Sequence, residues 1–139
     1  MKLLPSLLAV MILLVGCAGA DNPALGGEGT VKGTGFQQIT QEEAMRIMAE
    51  ETGYIILDVR TKEEYDGGHI PGAVCVPNEQ INCDAPEALS DYDQLILVYC
   101  RSGNRSKQAA QKLASMGFTR VYEFGGINTW PGEIVAEEP

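Results

Sequence analysis

Five consecutive apolar residues, Leu95-Ile96-Leu97-Val98-Tyr99, constrain this chain more than any other stretch. A surface strand alternates apolar with polar, whereas an unbroken run with β-branched members predicts a strand covered on both faces. Tyr54-Ile55-Ile56-Leu57-Asp58-Val59 repeats the pattern upstream. Two such strands need helices above and below them, and the intervening sequence supplies candidates. Thr40 and Glu43 fit a capping box, followed by Ala44, Met45, Met48 and Ala49 as a buried face and Gly53 as a stop. Thr61 and Glu64 suggest a second short capped helix. Ala73-Val74-Cys75-Val76 reads as a further strand closed by Pro77, and residues 78–89 as a helix whose far end Pro86 blurs. Residues 106–116 form a helix with Ala109, Ala110, Leu113 and Ala114 on one side, and Val121-Tyr122-Glu123-Phe124 a last strand. Strands alternating with helices predict an α/β domain with a mainly parallel sheet, flanked by helices on both faces. Ligands in such sheets bind outside the carboxyl ends of the strands.

Cys100 stands at one of those ends. After it come Arg101, Ser102, Gly103, Asn104 and Arg105, and then the helix. Thiolate is the reactive form of cysteine, and backbone amides converging at a helix start favour an anion. Gly103 permits a backbone conformation that a side chain resists, and two arginines add positive charge. Such a cradle can hold a thiolate, a persulfide or a presented oxyanion. The competing reading is a buried cysteine that acts only as a small hydrophobe; two arginines and a glycine in one short loop favour the reactive reading.

Cys100-Arg101-Ser102-Gly103-Asn104-Arg105-Ser106 resembles the active-site loop of the rhodanese family of sulfurtransferases. Asp58-Val59-Arg60, Glu64-Tyr65, Gly68-His69-Ile70-Pro71-Gly72-Ala73, and Gly125-Gly126-Ile127 with Trp130 fall in the family's order. The likeness runs from about residue 36 to residue 135 and implies the single rhodanese domain. It also implies double displacement: Cys100 takes a sulfane sulfur from thiosulfate, a persulfide or a polysulfide, and yields it to cyanide or a thiol, which could sit on a protein. No metal or organic cofactor is implied. Loop amides from Arg101 to Arg105 would stabilise the persulfide, with Arg101 binding an anionic donor and Arg105 bracing the loop or adding field. Tyrosine-phosphatase loops place five residues between cysteine and arginine, and phosphatases that share the rhodanese fold likewise use a longer loop. Four separate Cys100 from Arg105, which suits a carried sulfur better than a bound phosphate. Phosphatase or arsenate reductase is the lesser enzymatic alternative. A binding or persulfide-sensing module without turnover is the alternative of a different class, against which the retained Cys100 and arginines weigh.

Asp58 and Arg60 follow a buried strand and are expected to form an ion-pair network behind the loop, supporting it without acid–base work. His69, the one histidine, lies in a turn and is expected to make structural hydrogen bonds. Cys75 and Cys83 remain open: packed and free, bridged to each other, or with Cys83 resolving the persulfide.

The N-terminus sets the location. Lys2 precedes a 13-residue apolar run over residues 3–15, shorter than the roughly 20 residues a spanning helix needs. Leu14-Val15-Gly16-Cys17 resembles the lipobox of bacterial lipoprotein precursors. That implies a signal peptide over 1–16, cleavage before Cys17 and lipidation of that residue. Residues 17–35 would then be a tether, since six of the sixteen glycines fall between 18 and 35, and the domain would occupy 36–139. Losing Lys2 and no acidic residue takes the formal charge from −9 to −10. Such acidity, without a basic tract, excludes phosphate-driven nucleic-acid binding and electrostatic adhesion to anionic lipid. Acyl chains alone would hold this extracytoplasmic protein at its membrane.

Overall fold

A computed structural model describes residues 35–137. Residues 1–34, with the expected signal peptide, Cys17 and most of the tether, lie outside the described residues, as do 138–139.

The chain runs β1 (Gln37–Gln38), α1 (Gln41–Glu50), β2 (Ile55–Asp58), α2 (Lys62–Asp66), β3 (Val74–Cys75), β4 (Leu95–Cys100), α3 (Asn104–Ser115) and β5 (Arg120–Gly126). One five-stranded sheet has the order β1-β5-β4-β2-β3, and every neighbouring pair is parallel. The α/β expectation holds.

β4 is central because its sequence allows nothing else: none of its six residues is more than 5% exposed. Its side chains alternate between two cores. Ile96, Val98 and Cys100 join Leu57, Val59, Ala109, Ala110 and Leu113 beneath α3. Leu95, Leu97 and Tyr99 join Ile56, Phe124 and the Ala44 and Ile47 of α1 on the opposite face. Each fully buried aliphatic side chain contributes about 1.5–3 kcal/mol, so the polar loops hang from a scaffold fixed on two sides.

Several expectations need correcting. Residues 78–89 do not form a helix; only a 3-10 turn, Asn78–Gln80, is present. Asn78 is drawn into side-chain bonds with Gln108 and Lys112 of α3, and Pro86 bars a helix from continuing through it. Met45 and Ala49 lie on the exposed side of α1, where Ala44 and Ile47 form the buried stripe. Thr40 caps α1 through the Glu43 amide at 3.1 Å, but the Glu43 carboxylate turns to Arg46, so the reciprocal half of the box is missing. α2 has both halves: Glu64 N donates to Thr61 Oγ1 at 3.2 Å and Thr61 N to Glu64 Oε2 at 3.0 Å.

Candidate active site

Cys100 ends β4 on the α3 side of the sheet, and the chain must turn at once to start α3 at Asn104. Gly103 makes that turn at φ +108°, in the left-handed region that a Cβ disfavours. The turn brings the Gly103 N–H to 3.0 Å from Cys100 Sγ. A second constraint comes from β5. At Gly126 a Cβ would stand 2.1 Å from the Arg101 carbonyl oxygen, so backbone presses on backbone. The Asn128 N–H donates to that same oxygen at 3.2 Å. The register of β4 against β5 shifts between Val98 and Cys100, where the loop leaves the sheet.

Cys100 is 1% exposed. Burial pushes its thiol up, but the Ser106 hydroxyl and the amides of Ser106, Gly103 and Ser102 more than offset that. The thiol therefore sits below its ordinary value. The start of α3 also favours a negative charge at this point. The geometry of the loop favours a sulfur anion over a neutral thiol at this point.

The two loop arginines part company. Arg101 is exposed at the rim of an open depression of about 480 Å³, which Arg60, Glu64, Ile127, Asn128 and Ile134 also line. Arg105 turns away to a two-pronged pair with Glu64 of α2, Nη1 to Oε2 at 2.7 Å and Nη2 to Oε1 at 2.9 Å. This guanidinium, with the Thr61 amide and hydroxyl, overcomes partial burial and holds the Glu64 carboxyl down at about 2. Arg105 is thus a brace; its charge is matched by an anion. Ser102 and Asn104 face outward, while Ser106 is fully buried.

Asp58 and Arg60 do form the expected pair, Nη2 to Oδ2 at 2.6 Å, and Arg60 Nη2 also donates to the Gly68 carbonyl at 2.7 Å. Tyr99 is the unforeseen third member: its hydroxyl donates to Asp58 Oδ2 at 2.6 Å and accepts the Ile70 amide at 3.1 Å. Tyr99 sides with the α1 core and Cys100 with the α3 core, so this network lies behind the loop, across the sheet. His69 is buried, stacked on Tyr65 at 3.8 Å, with Nδ1 2.9 Å from the Tyr65 carbonyl. Cys75 and Cys83 are free thiols, half-buried and exposed, with no bridge between them. Among the described residues no group of three His, Cys, Asp or Glu side chains is gathered as a metal site.

Sequence reading missed Glu123. It is 2% exposed in β5, beneath the cysteine loop. Its Oε1 accepts the Ser106 hydroxyl at 2.6 Å and the Gly125 N–H at 2.8 Å, and its Oε2 the Gln38 amide at 3.3 Å. The signal was available: a carboxylate inside an otherwise apolar strand needs a reason.

Residues 40–133 match the model of the family described as "Rhodanese-like domain". The thiosulfate sulfurtransferase GlpE of Pseudomonas entomophila is 37% identical over 103 residues, spanning 70% of this chain and 91% of that one. The uncharacterized protein YqhL of Bacillus subtilis is 35% identical over 107 residues, 72% of this chain and 83% of that one. Among solved structures, a rhodanese with anions from E. coli is similar at 31% identity and a TM-score of 0.55, covering 60% of this chain and 98% of its own. The Alr3790 protein from Anabaena sp. reaches a TM-score of 0.65 at 28% identity, over 73% of this chain and 94% of that one. The parallel sheet, the cysteine at the end of its central strand and these matches over most of the sequence agree, and the chain belongs to the rhodanese-like domain family.

Proposed function

We propose that this chain is a sulfurtransferase that carries sulfane sulfur on Cys100. The observation that bears most weight is the Gly103 N–H donating to Cys100 Sγ at 3.0 Å at the start of α3. A donor amide fixed on sulfur stabilises a thiolate before reaction and a persulfide after it. The thiolate attacks the outer sulfur of thiosulfate, a persulfide or a polysulfide. The donor's S–S bond breaks, and sulfite or a thiolate leaves with the electron pair. A thiol acceptor, or cyanide in an assay, then attacks the outer sulfur and returns Cys100 as thiolate. Arg101, on the rim of the neighbouring depression, attracts the anionic donor; Arg105 and Glu64 hold the loop. The relative named thiosulfate sulfurtransferase supports this reading, as does the loop length, which leaves phosphatase chemistry the weaker alternative.

The test is thiocyanate production from thiosulfate and cyanide by the purified full chain. Activity in the parent and none in Cys100→Ala is the expected result. No thiocyanate, and no mass gain of one sulfur on the parent, would instead favour a binding module.

We propose further that Cys17 is lipidated and tethers the domain on the extracytoplasmic side, a reading that rests on the apolar run and the Leu14-Val15-Gly16-Cys17 sequence. In cell fractions, Cys17→Ser is expected to move the protein out of the membrane pellet. Retention there would sink the tether.

A further inference from the structure

Cys100, Ser106 and Glu123 are 1%, 0% and 2% exposed, so three ionisable or hydroxyl side chains meet almost without solvent. They are arranged in series. The Cys100 thiol donates to Ser106 Oγ at 3.4 Å, and the Ser106 hydroxyl donates to Glu123 Oε1 at 2.6 Å. A serine has one proton to give. The Gly103 carbonyl at 2.9 Å and the Gly125 carbonyl at 3.4 Å compete for it, but the carboxylate is both closer and the stronger acceptor. With that proton committed to Glu123, a lone pair of Ser106 faces the sulfur. The series therefore has one direction, from S–H to carboxylate.

Glu123 has no cation to balance it among the described residues. β1 presents the neutral Gln38, α3 the neutral Ser106, and the turn after β5 only the Gly125 amide. Arg105 of α3 is bound to Glu64, although its charge still acts on Cys100. The titratable group facing Glu123 across Ser106 is Cys100. A buried, unbalanced carboxylate is costly, and the ionisable side chain to which Ser106 links it is Cys100.

We propose that Glu123 is the proton acceptor of the Cys100 thiol, acting through the Ser106 hydroxyl. The S–H bond breaks as its proton joins Ser106 Oγ, while the hydroxyl's own proton passes to Glu123 Oε1. The negative charge moves from carboxylate to sulfur, and no proton enters or leaves. In the new arrangement Glu123 donates to Ser106, and Ser106 donates to the thiolate beside the Gly103 N–H. One negative charge is shared by the two ends of the series, so reaction of the sulfur with a donor does not wait for a proton to reach solvent. Glu123 is a positioning residue in this scheme, since it meets the sulfur only through Ser106. The scheme deepens the sulfurtransferase reading and rests on it.

The test follows alkylation of Cys100 by iodoacetamide in the full-length chain as a function of pH. Mass spectrometry of the Cys100 peptide keeps Cys17, Cys75 and Cys83 out of the measurement. A thiol and a carboxylate that share a proton keep a constant thiolate fraction between their two macroscopic steps. The parent should show an acid-side shoulder over which the rate changes less than about threefold across two pH units. Glu123→Gln and Ser106→Ala should lose the shoulder and fall about tenfold per pH unit, as an isolated thiol does. Circular dichroism checks folding, and Ser106→Ala carries the test by itself if Glu123→Gln fails to fold. A parent that already falls tenfold per unit, or a shoulder surviving in either folded variant, overturns the relay. Alkylation needs no sulfur donor, so a parent that lacks the shoulder but still produces thiocyanate condemns the relay alone. A shoulder without thiocyanate condemns the sulfurtransferase reading instead.

Discussion

Two of the arginine–carboxylate pairs, Asp58–Arg60 and Glu64–Arg105, lie near the carboxyl ends of the strands, and their surroundings set them to different work. Asp58 and Arg60 have side chains 0% and 6% exposed, with Tyr99 and the Gly68 carbonyl completing their bonds. Glu64 and Arg105 are each 27% exposed and hold each other at the loop's edge, where Glu64 also closes the Thr61 cap of α2. A buried pair makes a fold intolerant of losing either partner, whereas a half-exposed pair contributes little stability but can fix geometry. The first pair sustains the scaffold, and the second fixes the start of α3, next to the Cys100 loop.

Asp58→Asn strikes that contrast hardest. It leaves the Arg60 guanidinium buried without its anion, and urea unfolding should show a loss of about 3–5 kcal/mol, a large share of a domain's stability. Tyr99→Phe should cost less, about 1–3 kcal/mol, because the Ile70 amide and an Asp58 oxygen each lose a partner. Its turnover should stay within about twofold of the parent, because Tyr99 lies across the sheet from Cys100. A tenfold drop in turnover with the fold intact would erase the division of labour. Glu64→Gln should cost under about 1 kcal/mol, yet lower sulfur transfer about tenfold or more as the loop loses its brace. Its stability deficit should also depend on pH. Glu64 is held at about 2, against 4.5 ordinarily, so ionisation favours the fold above 4.5, and that contribution fades as pH falls towards 2. Parent and Glu64→Gln unfolding curves should therefore converge over that acid window. Curves equally far apart at both ends would put the stabilisation elsewhere.

The parts that sequence revealed were those with a local physical signature. Ile55, Leu97 and Val98 left no polar face, so a two-sided sheet was the economical reading. The Thr61–Glu64 box and the Cys100–Arg105 spacing are short-range patterns, and both have structural counterparts. What escaped depended on partners that the local pattern does not specify, most of them far along the chain. Thr40 and Glu43 have the box spacing, but Arg46, a turn later, captures the carboxylate. Asn78 gives up helix for Gln108 and Lys112, some 30 residues away. β1 is two glutamines with no apolar pattern, drawn into the sheet by β5. Glu123 looked like one polar residue in a short strand, and only the fold shows what lies above it.

The pressure of Gly126 on the Arg101 carbonyl also bears on transplantation. Residues 100–106 look like a portable cassette, short enough to splice onto any strand–helix junction. They are half of a two-part fitting. The other half, residues 123–128, supplies the glycine that makes room, the Asn128 amide that holds the carbonyl, and the carboxylate under Ser106. A graft that carries only the cysteine segment would meet a foreign Cβ at that contact and lose the loop's shape. Engineers who wish to move this chemistry must move both pieces, already in register.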